Sequence, residues 1–137
     1  MKNILIIAAI SVLFAACGGS ANNQHPSTKY EEKKASIAEM EQESPLKFLK
    51  ISGSHRKNII NQDVVEGEVS NKATLTTYKN IQVQINFLDA EGGSIEKQKH
   101  TLDDAVKPGS TTDFKIKVKV KGATSVSVDI VDATADK

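Results

Sequence analysis

From Asn80 to Gly93 apolar and polar residues alternate strictly before the pattern stops. Ile81, Val83, Ile85 and Phe87 fall on one side, Gln82, Gln84 and Asn86 on the other. Period-two alternation predicts a strand with one buried and one wetted face. Leu88 breaks the rhythm, and Asp89 to Gly93 has the residues of a reversing turn. A second clean alternation runs from Thr112 to Val120, with Phe114, Ile116, Val118 and Val120 inward and Lys115, Lys117 and Lys119 outward. A third, Ser125 to Asp132, turns Val126, Val128 and Ile130 inward. Val64 to Asn71 sets Val65 and Val69 on one face, with Gly67 between them where a facing side chain or backbone comes close. Leu46 to Ile51 reads as a first strand anchored by Phe48 and Leu49, followed by a turn at Gly53 to Arg56, with Asn58 to Ile60 extending or pairing with it. Ser94 to His100 has Ile95 as its only strong apolar residue and belongs at an edge. Lys72 to Thr77, the acidic loop between Leu102 and Val106, Lys107 to Ser110 and Gly122 punctuate the rest. About seven short strands with closely spaced turns predict an all-β fold, an antiparallel β-sandwich.

The amino-terminal stretch follows another rule. Lys2 precedes an apolar run from Ile4 to Ile10 that continues through Val12 to Ala16. That is the layout of a secretory signal. At about thirteen residues it is shorter than the roughly 20 that a spanning helix needs. Its end, Leu13-Phe14-Ala15-Ala16-Cys17, resembles a bacterial lipobox, with Phe14 where Leu or Val is usual. The resemblance implies cleavage before Cys17, lipidation of Cys17 and membrane attachment through its acyl chains. Two or more chains make such anchoring stable. Gly18 and Gly19 follow. They carry neither the aspartate that resembles an inner-membrane retention signal nor an acidic surface-export cluster, so the expected site is the outer membrane, facing the periplasm. Gly18 to Lys29 is small and polar, and is expected to be a disordered tether. Tyr30 to Glu43 is either more tether or a short helix with Ile37 and Met40 on one side. Glu39, Glu41 and Glu43 read as a solvated run. The expected division is signal peptide 1–16, lipidated cysteine and tether 17–44, and sandwich 45–134.

Composition adds mainly exclusions. Eighteen basic against 17 acidic residues give a net charge of +1, which offers no field for steering nucleic acid or an acidic membrane surface. A single cysteine rules out an intramolecular disulfide. His25, His55 and His100 stand in the tether, a turn and a strand end, and are not spaced as a zinc pair. No nucleophile elbow or phosphate loop is present. No enzyme activity, cofactor or metal is expected. Asp89, Glu91, Asp103 and Asp104 could meet at one end of a sandwich and offer oxygens to calcium, though turn and loop roles account for them. Lys115, Lys117 and Lys119 form a row about 6.6–6.8 Å apart that could meet an anionic glycan or lipid head group. Lysines also blunt a strand against edge pairing, and Glu66 and Glu68 could pair with them.

With the strands in place, a family resemblance emerges. Val65-Glu66-Gly67-Glu68-Val69-Ser70-Asn71, Tyr78 to Val83, Phe87-Leu88-Asp89 with Gly92, and Lys107-Pro108-Gly109-Ser110 with Phe114 resemble the FxLYD family's G-x-V-x-N strand, Y-x-x-V strand and P-G turn. The tyrosine of the name-giving segment is missing, and that segment is shortened. The Pro45 to Leu49 entry is similar to that of small Bacteroidota envelope lipoproteins. The resemblance implies an immunoglobulin-like sandwich tethered in the envelope and supplies no catalytic residues. The expected function is a non-catalytic, lipid-anchored envelope protein whose sandwich is an interaction or structural module, with an envelope protein or glycan as partner. The alternative is an anion binder working through the lysine face.

Overall fold

The computed structural model describes residues 28–136. The expected signal peptide, Cys17 and the expected tether up to residue 27 lie outside the described residues. Within them, two helices precede six strands: α1 (Lys29–Glu43), α2 (Pro45–Phe48), β1 (Leu49–Lys57), β2 (Asp63–Asn71), β3 (Thr77–Leu88), β4 (Ser94–Leu102), β5 (Thr111–Val118) and β6 (Ser125–Asp136). The strands form two antiparallel three-stranded sheets, β1-β2-β5 and β4-β3-β6. This is the expected all-β, antiparallel sandwich, with six strands among the described residues rather than seven.

β3 is the middle strand of its sheet, and its alternation is as expected. Ile81, Val83, Ile85 and Phe87 are buried, as are Val65 and Val69 of β2 across the interface. A bulge at Lys79–Ile81, with Asn80 at φ 50°, inserts one residue and turns Tyr78 inward beside Ile81. β4 is an edge strand, in keeping with its weak hydrophobicity.

The entry to the sandwich differs from expectation. Leu46 to Phe48 is not strand but part of α2, because Pro45 stands in the first helical turn, where its fixed φ and missing N–H fit. The strand starts at Leu49. Gly53 to Arg56 is no turn either. It lies within β1, in register with Gly67 to Val64 of β2, and the reversal falls at Asn58 to Gln62. Helix α1 starts at Lys29, inside the expected disordered stretch, since Thr28 and Glu31 form a reciprocal capping box.

Candidate functional site

Three polar constellations are built on this frame. The first involves the lysine row. Lys115, on the edge strand β5, lies opposite Glu66 of β2. Glu66 accepts from Arg56 Nε at 2.9 Å and lies 3.3 Å from Lys115 Nζ. The Arg56 hydrogen bond, followed by that of Lys115, holds the Glu66 carboxyl below its ordinary value. Lys115 therefore belongs to a cross-strand ladder on an exposed face. Lys117 and Lys119 are exposed and form no salt bridge among the described residues. β5 ends at Val118, so Lys119 stands past the strand. With Lys57, Asn61 and Lys121 it lines a shallow concavity of about 390 Å³ at the end of the sandwich.

The second constellation centres on Asp63, whose side chain is fully buried. Its Oδ1 lies 2.7 Å from His55 Nε2 and accepts from Lys57 Nζ at 2.9 Å, while Oδ2 accepts from the Val120 N–H at 2.8 Å. His55 Nδ1 lies 3.2 Å from the Thr124 carbonyl. Burial is the largest single influence and pushes the carboxyl up. The Val120, His55 and Lys57 contacts together outweigh it and hold Asp63 at about 2. The arrangement ties both strands of the β1–β2 hairpin to the turn before β6. It holds no nucleophile.

The third constellation is a clamp between α1 and the β2–β3 loop. Glu41, 1% exposed, is buried rather than solvated. Its Oε1 accepts from Thr74 N at 2.6 Å and Thr74 Oγ1 at 2.9 Å, and its Oε2 from Leu75 N and Thr76 N at 3.0 Å each. Three successive backbone amides thus converge on one carboxylate, an anion nest filled from within the chain. Tyr78 Oη donates to the Glu41 carbonyl at 2.7 Å, and Asn71 Nδ2 donates to the Thr76 and Val106 carbonyls. Burial alone pushes Glu41 up, but the donors from Thr74, Leu75 and Thr76 outweigh it and the carboxyl is lowered. Burial and then the Glu41 charge push the Tyr78 hydroxyl up to about 12.

Comparison with protein-family models, with curated proteins and with solved structures finds no match to this chain. The constellations must be read from their own chemistry.

Asp89, Glu91, Asp103 and Asp104 do not gather. Asp89 and Glu91 flank the β3–β4 turn, where Asp89 Oδ1 accepts from the Glu91 and Gly93 amides. Asp103 and Asp104 follow the far end of β4. No group of three metal-ligating side chains occurs among the described residues. His55 is a strand residue paired with Asp63, not a turn residue, and that pair and the Glu41 clamp were missed by sequence reasoning. Thr28-x-x-Glu31 signals the helix that carries Glu41, but nothing local signals the loop whose amides donate to it.

The clamp has a direct consequence. Glu41→Gln should release α1, lower stability by about 2–3 kcal/mol and speed hydrogen exchange at the Thr74 to Thr76 amides. Unchanged exchange there would rule the clamp out. The folded-state carboxyls of Glu41 and Asp63 lie below their ordinary values of 4.5 and 3.8. Their contribution is present above those ordinary values. It is lost as pH falls through the folded-state values, which for Asp63 is near 2.

Proposed function

We propose that the chain is a non-catalytic, lipid-anchored protein of the bacterial cell envelope, held through Cys17 at the outer membrane and facing the periplasm, whose sandwich is an interaction or structural module. The observation that carries this reading is the position of Cys17, the chain's only cysteine, directly after Leu13-Phe14-Ala15-Ala16. The Glu41 clamp fits it, because it docks on the sandwich the helix through which the chain arrives from its amino-terminal side. The FxLYD resemblance supports the same reading. The residues that carry it, Gly67, Val69, Asn71, Tyr78 and Phe114, serve strand contact, core and loop organisation, with no reactive group among them.

Expressed in a bacterial host, the chain should fractionate with membranes and yield an amino-terminal peptide that starts at Cys17 and carries a diacylglyceryl mass. Cys17→Ser should lose both. A mature terminus elsewhere, or an unmodified Cys17, overturns the anchor. Crosslinking in intact cells identifies the partner; turnover of an envelope substrate by the purified protein overturns the non-catalytic reading. A second reading, binding of an anionic glycan or lipid head group through Lys115, Lys117 and Lys119, is favoured by the exposure of Lys117 and Lys119, which form no salt bridge among the described residues. It requires salt-sensitive binding that disappears when all three are neutralised.

A further inference from the structure

The reversal between β1 and β2 carries two adjacent, strongly exposed apolar side chains. Ile59 is 103% and Ile60 66% exposed, at the apex of a hairpin. Surface isoleucines occur singly without meaning, but adjacent ones on a protruding tip are a different feature. The tip is rigidly built. Asn58 Oδ1 accepts from the Ile60 N–H at 3.1 Å and the Gln62 N–H at 2.9 Å, and Asn58 Nδ2 donates to Gln62 Oε1 at 3.0 Å. The Asn58 amide donates to the Gln62 carbonyl at 2.9 Å, and Asn61 closes the turn at φ 60°. Neither isoleucine is needed for this geometry, and presenting them costs no ordering at the moment of docking.

Charge surrounds the tip unevenly. Lys57, Lys119 and Lys121 line the concavity beside it. Asp63, the carboxylate closest in sequence, is buried against His55 and Lys57. Asp89 and Glu91 sit at the same end but on the other sheet's hairpin, where Asp89 is taken up by turn amides. A convex apolar apex with lysines behind it offers no pocket. It fits a soft, negatively charged surface that admits apolar side chains below a layer of anionic groups.

We propose that the Asn58–Gln62 hairpin is a membrane-docking tip, in which Ile59 and Ile60 insert into the interface of an anionic phospholipid bilayer while Lys119 and Lys121 meet the head groups. The inference sharpens the lysine-face reading, since the row leads from Lys115 to this end, and it rests on the envelope reading for a bilayer within reach. The tip lies at the opposite end of β2 from the Glu41 clamp, roughly 26 Å away along the strand. It therefore makes a contact separate from the point where the tether enters.

The test uses the unlipidated chain from Gly18 onward, which keeps every described element, with sedimentation on phosphatidylcholine vesicles with and without phosphatidylglycerol. Binding is expected only with phosphatidylglycerol and should weaken with salt. Ile59→Ser with Ile60→Ser should weaken it about a hundredfold, roughly tenfold per side chain. Ile59→Leu with Ile60→Leu should retain it. Lys119→Gln with Lys121→Gln should cost about fivefold each. All variants should melt with the parent. No vesicle binding, binding that ignores the serine pair, or a tip that instead pairs two copies or a protein in a serine-sensitive way overturns the proposal. Lipidation at Cys17 is read separately by peptide mass, so the failure of either leaves the other standing.

Discussion

Gly67→Ala is expected to destabilise the sandwich by about 3 kcal/mol or more, at the upper end of what overpacking costs. A methyl group at this position would sit 1.9 Å from the Ser52 carbonyl oxygen and 2.7 Å from Gly53 Cα. Both are backbone atoms of the neighbouring strand, so relief requires β1 to move away from β2 and break the ladder that pairs Leu49 to Lys57 with Asn71 to Asp63. Gly67 also stands in register with Gly53 on one side and Phe114 on the other. A methyl at Gly53 would meet Val128 Cγ2 at 2.9 Å, with the Phe114 ring edge 3.7 Å away. The strands can therefore close up only because neither β1 nor β2 places a side chain there. Gly53→Ala presses on a side chain that can rotate, and should cost less. Gly109→Ala, at φ 67° with open space around the Cβ position, meets only the strain of a left-handed alanine, about 1 kcal/mol. Urea melts of the three variants should rank Gly67 far above the other two. A Gly67→Ala protein as stable as its parent would sink this account.

That close approach was legible in part. A glycine between two inward valines marks a place where something comes near, and Gly67 kept that meaning. Gly53 did not, because a glycine between serines looks the same whether it begins a turn or lies in a strand; only the partner strand decides. The period-two runs in β3, β5 and β6 were readable because each residue's face is set locally by the pleat. Leu46 to Leu49 was not, since a short apolar cluster has no period of its own and Pro45 tips it into a helical turn. Glu41 is the plainest case. A Glu-x-Glu-x-Glu run reads as solvated, and its middle member is buried only because a loop 33 residues onward turns three amides toward it. His55 and Asp63 meet across a hairpin that reverses at Asn58 to Gln62, beyond the turn-like Gly53 to Arg56. In each miss the deciding atoms lie outside the window that a pattern can see.

Val83→Lys should leave no cooperative folding transition, whereas Gln84→Lys should melt with the parent. Val83 is fully buried at the middle of β3, paired with His100 on β4 and Ile130 on β6. The substitution forfeits about 1.5–3 kcal/mol of apolar burial and places an ammonium among Ile81, Ile85, Phe87 and the residues packed on them. No carboxylate belongs to that cluster, so the charge must be neutralised or the strand expelled, and either costs several kcal/mol. The sum is comparable to the whole stability of a domain this size, about 5–15 kcal/mol. One residue further on, the pleat reverses the outcome. Gln84 lies on the wetted face between Lys99 of β4 and Asp129 of β6. A lysine there gains one favourable neighbour and one unfavourable one, and the two nearly cancel. Circular dichroism melts of the two variants test the face assignment directly, because a register slip of one residue would exchange their results.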